Sequence, residues 1–292
     1  MQASSLFYII ISILIVSFIV DKMINILNEG YFDKKIPEKL KDIYNHDTYK
    51  KSQAYKKTSA KFSNSSSLIS IILTVTFFLI EGFAYLDRFA RSFSEHPILI
   101  ALIFFGVIIS VSEIITTPLS YYKTFVIEEK FGFNTSSKQI FWIDKIKGLL
   151  MSLVLGGGIL SIVIWFYLLT GSDFWIYSWV LVASFSLFLN MFYAKLIVPL
   201  FNKQTPLENG VLKSAIEDYS EKVGFTIHNI FIIDGSKRST KANAYFSGFG
   251  SQKRITLYDT LIHELDTDEI IAVLAHEVGH YKKNHIIFNM IT

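Results

Sequence analysis

Two histidines and a glutamate near the end of the chain have the types and spacing needed to bind zinc and activate water. The segment LAHEVGHYKKNH, residues 274–285, places His276 and His280 four residues apart, with Glu277 directly after the first histidine. On an α-helix each residue advances by about 100°, so both imidazoles lie on one face and can reach one ion. Glu277 lies beside them, where it is suited to act as a general base. The pattern predicts Zn²⁺ as cofactor, His276 and His280 as metal ligands, and Glu277 as the catalytic residue.

A structural alternative is that these three side chains only decorate the polar face of a helix. The preceding turns argue against it, because a mostly apolar helix has little reason to carry two histidines. These turns contain Ile270, Ile271, Val273 and Leu274. The helix is predicted to begin near Thr267, with that threonine as its N-cap and acidic residues in its first turn.

The motif supplies two ligands, whereas a catalytic zinc normally takes three from the protein. His285 follows the first histidine by nine residues, about 180° around the helix, so it is expected to face away. Lys283 and Ile286 stand where the metzincin pattern requires a glycine and a third histidine. His228 and His263 are predicted to be loop or surface histidines. The third ligand therefore stays open at the level of the motif.

The composition indicates a membrane protein. Of 292 residues 51% are hydrophobic, and the mean hydropathy is +0.39, which is too apolar for an ordinary soluble enzyme. The net charge is only +3, and the lysines lie in blocks between apolar runs, so nucleic acid is not expected as a partner. Because the chain contains no cysteine, thiolate ligands and disulfides are excluded.

Five apolar runs are predicted to span the bilayer, each approaching the length that crosses about 30 Å of hydrocarbon. They are residues 1–20, 62–80, 97–112 with an extension past Glu113, 148–172 and 174–194. A signal peptide is the alternative for the first run. It is disfavoured because no basic residue precedes the run and no small residues mark a cleavage site after it. The fold class is therefore an α-helical polytopic membrane protein of about five spans, with the start of a sixth from residue 286.

From residue 195 the composition becomes that of a small α+β domain. Turn residues separate a predicted helix at 212–223, a strand at 229–233, and a hairpin with strands at 242–249 and 254–258. This divides the chain into a membrane bundle, residues 1–194, and a zincin-like domain, residues 195–292.

Five blocks of sequence resemble the type I CAAX prenyl endopeptidases, which are integral-membrane zinc metalloproteases. The blocks are IEEKFGFN (127–134), PLFNKQTPLENG (199–210), IDGSKRSTKANAYFSGF (233–249), RITLYDTLI (254–262) and the HExxH segment. Together they extend over nearly the whole chain, which makes the resemblance far more specific than HExxH alone.

The resemblance implies seven long helices around a water-filled chamber that the zinc domain closes. It implies cleavage near the C-terminus of prenylated CAAX proteins or of other membrane-associated peptides. His276 and His280 would hold zinc, and Glu277 would be the base. Asn243, Ala244, Tyr245 and Phe246 would form a strand edge to which an extended peptide adds, with an ordinary hairpin strand as the alternative.

In this family the third zinc ligand is a glutamate well downstream of the motif. The sequence is therefore expected to be a fragment that lacks this ligand and the last two spans, and to be inactive by itself. The expected partners are a peptide or protein substrate and the lipid bilayer.

Three other interpretations compete with this one. A membrane quality-control zinc protease shares the HExxH chemistry, but the five preceding spans and the long loop at 21–61 argue against it. A site-2-type intramembrane protease would place the motif in an uncharged span, which the flanking charges exclude. A non-catalytic pseudoprotease or truncated product is the third alternative.

The distribution of lysine predicts the orientation, because short basic loops stay cytoplasmic. Tags at the N-terminus and near Asp173 should be accessible from outside the cytoplasm, and tags near Lys50 and Lys237 from the cytoplasm of a bacterial cell or of a cell with an endoplasmic reticulum. Protease protection that places Lys237 outside would contradict this topology.

Overall fold

The computed structural model describes residues 3–32, 35–38, 41–43, 45–224, 229–247 and 254–283. They form two compact units, Met1–Gly132 and Phe133–Thr292. The helices are α1 Ala3–Glu29, α2 His46–Leu79, α3 Gly82–Arg91, α4 Pro97–Tyr122, α5 Glu129–Phe131, α6 Lys138–Thr170, α7 Phe174–Leu196, α8 Val198–Phe201, α9 Val211–Lys222, α10 Asp259–Glu264 and α11 Thr267–Lys282. The strands are β1 Gln204–Pro206, β2 Asn229–Ile233, β3 Ala244–Ser247 and β4 Arg254–Tyr258. The predicted domain boundary at residue 194 marks a change of composition and stays a prediction.

The helical membrane fold expected from hydropathy is confirmed. Within the described part of the chain, four helical segments are long and apolar enough to cross a membrane: Ser5–Glu29, His46–Leu79, Pro97–Phe131 and Lys138–Leu196. The fourth has 59 residues and contains α6 and α7, which pack on each other across a turn at Gly171–Asp173. Gly171 has a φ of 56°, which lies in the left-handed region that favours glycine.

In the first unit, α2 begins well before the apolar run predicted at residues 62–80. The side chain of Asn45 accepts hydrogen bonds from the backbone N–H groups of Asp47 at 2.8 Å and Thr48 at 3.4 Å, and so caps the helix. Farther along, the Tyr55 hydroxyl donates to Glu128 at 2.6 Å, in the π-helical turn Lys123–Glu128 that follows α4. This polar contact fixes the long N-terminal extension of α2 within its own unit.

The second unit contains a four-stranded sheet with the order β1-β2-β4-β3. β2 coincides with the predicted strand, and β3 pairs antiparallel with β4 as the predicted hairpin requires. Residues 248–253 of that hairpin lie outside the described residues. Two features were not predicted from the sequence: β1 pairs antiparallel with β2, and β2 pairs parallel with β4.

One face of this sheet packs against α9, α10 and α11. Ile270 and Leu274 of α11 are only 2% and 1% exposed, and they pack with Ile255 and Leu257 of β4, which are fully buried. Helix α11 begins at Thr267, as predicted. The cap assignment was wrong, however.

Asp266 caps α11 in place of Thr267. Its carboxylate accepts from the Glu269 backbone N–H at 2.9 Å, while the Glu269 carboxylate accepts from the Asp266 N–H at 3.0 Å. This reciprocal pair forms a capping box, and it leaves Thr267 as the first helical residue.

Arg238 ties the loop before β3 to two other elements of the same unit. Its Nε and Nη2 donate to the carboxylate of Asp144 in α6 at 2.6 and 2.9 Å, and Nη2 also donates to the Phe201 carbonyl at the end of α8, at 2.8 Å. The hydrogen bond with Asp144 raises the pKa of Arg238. Both side chains are about three-quarters buried, with exposures of 25% and 24%, so the pair is well shielded from solvent.

The substitution Asp144→Asn should therefore destabilise the second unit. It leaves a largely buried guanidinium without its counter-charge, and the expected cost is about 1–2 kcal/mol, between the values for exposed and fully buried ion pairs. Thermal unfolding in detergent would measure it. Asp87→Asn is the matched control, because Asp87 pairs with Arg91 at an exposed site, and the melting temperature should hardly change. Equal melting temperatures for Asp144→Asn and the parent chain would show that the contact between Arg238 and Asp144 does not stabilise the second unit.

Candidate metal and peptide-binding site

The two histidines of the motif converge as their spacing predicts. The Nε2 atoms of His276 and His280 lie 3.0 Å apart, and the ring centroids are 4.6 Å apart at 80°. Two ligands that each lie about 2.0–2.1 Å from a tetrahedral zinc are separated by about 3.3 Å, so the pair fits one ion after a small adjustment. Both rings are exposed, on the side of α11 away from Leu274 and the sheet.

Glu277 is half-buried and follows the first histidine on α11. Val278 next to it is 2% exposed, so the backbone at this turn is held by packing while the carboxylate stays partly accessible. Within the described residues, no third His, Cys, Asp or Glu gathers with the two histidines into a metal-binding group. The two imidazoles thus fit zinc in chemistry and spacing.

The other histidines considered from the sequence do not join this pair. His263 is exposed near the end of α10, which agrees with its prediction as a surface residue. His228 and His285 lie outside the described residues.

The predicted peptide-binding residues lie at the edge of the described sheet. Ala244, Tyr245 and Phe246 belong to β3, which is the last strand in the sheet order, and Asn243 immediately precedes it. The Asn243 side-chain oxygen accepts from the backbone N–H of Ala244 at 2.9 Å. Ala244 and Phe246 pack on the core shared with α11, so the strand and the histidine helix are joined by direct contact.

The opposite face of β3 has a different environment. Tyr245 packs there with Tyr258, next to Ala194 at the end of α7 and Val198 in α8. Burial raises the pKa of the Tyr245 hydroxyl. Burial also lowers the pKa of Arg254, whose guanidinium stacks 3.9 Å from the centre of the Phe231 ring. This face of the sheet is therefore partly shielded from water.

Sequence reasoning missed the residues that hold the loop leading into β3. Asp259, at the start of α10, accepts hydrogen bonds from the Ser236 backbone and hydroxyl and from the Thr260 backbone. Burial by itself would raise the pKa of Asp259, but these bonds outweigh it, and the pKa of the carboxyl is lowered. These residues lie in the sequence blocks at 233–249 and 254–262, which were recognised from the sequence. Only the fold shows that the two blocks contact each other.

The loop is also joined to the segment before α6. Thr135 donates from its hydroxyl to the Ser236 carbonyl at 2.6 Å and from its backbone N–H to the Arg238 carbonyl at 3.2 Å. Asn134 and Ser239 form an isolated β-bridge. The sequence blocks that looked separate along the chain thus meet around the entry to β3.

Comparison with known families matches nearly the whole chain. Residues 30–203 match the model described as "CAAX prenyl protease N-terminal, five membrane helices", and residues 206–292 match the model of peptidase family M48. The chain belongs to peptidase family M48. The M48 assignment agrees with the resemblance stated from the five sequence blocks.

Individual relatives support the same assignment. The chain is 38% identical to CAAX prenyl protease 1 of Saccharomyces cerevisiae over 270 residues, which is 89% of this chain and 59% of the relative. It is 37% identical to the Dictyostelium discoideum homologue, over 88% of this chain and 62% of the relative. The M48 chain thus spans about three-fifths of the length of these relatives. The crystal structure of S. mikatae Ste24p superposes with a TM-score of 0.91 at 38% identity, and the match covers 98% of this chain and 69% of that one.

With two converging imidazoles, this M48 chain should bind zinc weakly, because a full ligand set with supporting hydrogen bonds is what gives high affinity. We expect the purified 292-residue chain to contain well under one zinc per molecule by elemental analysis. His280→Ala should remove what remains, and His263→Ala, at an exposed position outside the pair, should change nothing. Stoichiometric zinc that His280→Ala abolishes would show that a third ligand lies within the chain or comes from a second copy.

Proposed function

We propose that this protein is a membrane zinc metalloendopeptidase of the CAAX prenyl protease type, which hydrolyses peptide bonds near the C-terminus of prenylated or membrane-associated peptides. The observation that carries the proposal is the 3.0 Å approach of the His276 and His280 nitrogens, beside Glu277, on a helix packed against the edge strand β3. Membership of family M48 and the names of the relatives support the same reaction.

His276 and His280 hold the metal in this proposal, and a further ligand has to complete the coordination. When bound, zinc acts as a Lewis acid that polarises the peptide carbonyl and lowers the pKa of water. Glu277 accepts the proton from the attacking water and delivers it to the nitrogen of the leaving amine. Its half-buried position suits this role, because the carboxylate is held in place on the helix and is still accessible to water.

Asn243, Ala244, Tyr245 and Phe246 bind the substrate by strand addition. An extended peptide that pairs with β3 is held mainly by backbone hydrogen bonds, so it can be recognised with little dependence on its sequence. The Asn243 side chain occupies the Ala244 N–H in the structure. An incoming peptide carbonyl replaces this bond, so the exchange adds no unsatisfied donor.

The protein is an integral, multi-pass membrane protein, and its finer placement is part of the proposal. The lysine-rich segments predict that the N-terminus lies outside and that the zincin-like domain, residues 195–292, lies in the cytoplasm. The partners are the peptide substrate, prenylated or not, and the surrounding bilayer. Nucleic acid is not expected as a partner, since the net charge is only +3 and the lysines lie in blocks between apolar runs of the sequence.

Glu277→Gln tests the role of the base. In a zinc-loaded, active preparation, hydrolysis of a CAAX-type peptide should fall by about 10²- to 10⁴-fold, which is the usual contribution of general acid–base catalysis. Zinc content should be unchanged, because both histidines remain. Peptide cleavage and elemental analysis on the same sample measure the two effects separately.

The matched control is Glu264→Gln, the same substitution at an exposed position of α10. It should keep both activity and metal. Substantial activity in the Glu277→Gln protein would eliminate the proposed mechanism, and loss of zinc from it would make Glu277 a ligand.

A further inference from the structure

The register of β3 determines which of its backbone groups face outward. The Tyr258 N–H donates to the Asn243 carbonyl at 3.0 Å, and the pairing continues with Tyr245 opposite Thr256. Hydrogen-bonded pairs alternate along an antiparallel ladder. The backbone groups of Asn243 and Tyr245 therefore point towards β4, and those of Ala244 and Phe246 point towards the edge.

A peptide added at this edge pairs with Ala244 and Phe246. Residues opposite one another in a sheet share a face, and successive residues alternate between faces. Substrate residues opposite Ala244 and Phe246 consequently lie on the face of the sheet that α11 covers. The residue between them lies opposite Tyr245 and projects to the other face.

On that other face the structure has a cavity of about 670 Å³. It is bounded by β3 and β4 on one side and by the C-terminal half of α7 on the other. Its lining residues are Ser186, Leu189, Asn190, Tyr193, Asn243, Tyr245, Phe246, Ser247 and Tyr258. This volume is ample for one large side chain.

The described residues that line it are mostly aromatic or polar, and none of them is charged. A cationic side chain entering it would gain no counter-charge from these residues. The raised pKa of the Tyr245 hydroxyl, caused by burial, is in keeping with a poorly hydrated wall. The tyrosine and asparagine groups can still satisfy an uncharged polar group.

A neighbouring cavity of about 430 Å³ shares Tyr193, Tyr245 and Tyr258 as walls and contains Arg238. The bidentate contact with Asp144 neutralises this arginine. Arg254 lies on the same face of the sheet, opposite Ser247, and donates to the Ala194 carbonyl and to the Gln204 side chain. The combined surface therefore offers hydrogen-bond donors and apolar area, and it disfavours a second positive charge.

We propose that the cavity between β3 and α7 is a specificity subsite, which receives the single substrate side chain that lies opposite Tyr245 and selects a large one without a positive charge. The inference rests on the proposed function, since it assumes a peptide added to β3. Asn190 and Tyr193 of α7 determine the preference at this position, and the substrate residues on either side of it contact the face of α11.

Asn190→Asp places one negative charge in the subsite and should convert its preference. In a peptide series with lysine introduced at successive positions, kcat/KM for lysine should rise by about tenfold at one position only, the effect of a close, partly desolvated charge pair. Ser247→Asp introduces the charge from the strand side and serves if the first variant does not fold. Asn209→Asp, the same change at an exposed loop position outside both cavities, is the control and should not alter the profile. An unchanged profile in both cavity variants, or a change at two adjacent positions, would overturn the subsite.

A binding experiment separates this inference from the proposed function. Glu277→Gln protein is photo-crosslinked to peptides that carry benzoylphenylalanine at successive positions, and the labelled residues are mapped by mass spectrometry. Labelling of α7 near Asn190 should occur from one position and be absent from its two neighbours. Alternating labels without hydrolysis by a parent protein that carries stoichiometric zinc would reject the proposed function and retain the subsite. Hydrolysis with no label on α7 would reject the subsite alone.

Discussion

The contact between Arg238 and Asp144 is the constraint on which the arrangement of the second unit depends. It joins residues 94 positions apart in the sequence, and the same guanidinium reaches the end of α8 through the Phe201 carbonyl. Arginine suits this position because its planar fork donates two parallel bonds to a carboxylate and further bonds to a carbonyl. The Arg238 side chain thereby holds together the membrane helix α6, the short helix α8 that follows α7, and the loop before the edge strand β3.

The rest of the loop adds smaller contacts that act in the same direction. The Asp234 carboxylate accepts from the Lys203 backbone at 2.8 Å and from the Asn202 side chain at 3.1 Å, and Asp259 holds Ser236 from the other side. Each bond is modest in net free energy, but together they leave the loop few alternative conformations. The strand that follows is consequently positioned before any peptide arrives, which reduces the entropy lost on binding.

The edge strand has two faces, and the sheet assigns them different chemistry. Ala244 packs into the apolar core with Ile270 and Leu274, so the helix bearing the histidines is in direct contact with the strand. Tyr245 faces the end of α7 and α8. In the proposed binding mode, the side chains of an extended peptide alternate between the face of the sheet that α11 covers and the face towards α7.

The sequence by itself determined the local features of this protein. The membrane spans follow from hydropathy. A long apolar segment in lipid forms a helix, because a helix makes every backbone hydrogen bond within the segment. The convergence of His276 and His280 follows from helical periodicity, and the strand at Asn229–Ile233 from its short apolar run. The cap of α11 was misassigned to Thr267 because an aspartate and a threonine stood side by side, and both are good caps.

What the tertiary structure decided is which distant segments meet. The parallel pairing of β2 with β4, the addition of β1 and the union of Asp144 with Arg238 have no local signal. The β-propensity of a segment does not determine which strand it pairs with. The position of a charged residue in the sequence does not determine which residue carries its counter-charge. The cavity beside Tyr245 has the same origin, because a concave surface between α7 and β3 exists only once residues more than fifty positions apart are packed together. Periodicity acts over a few residues of one element, whereas pairing, packing and the enclosure of space depend on the free energy of the whole chain.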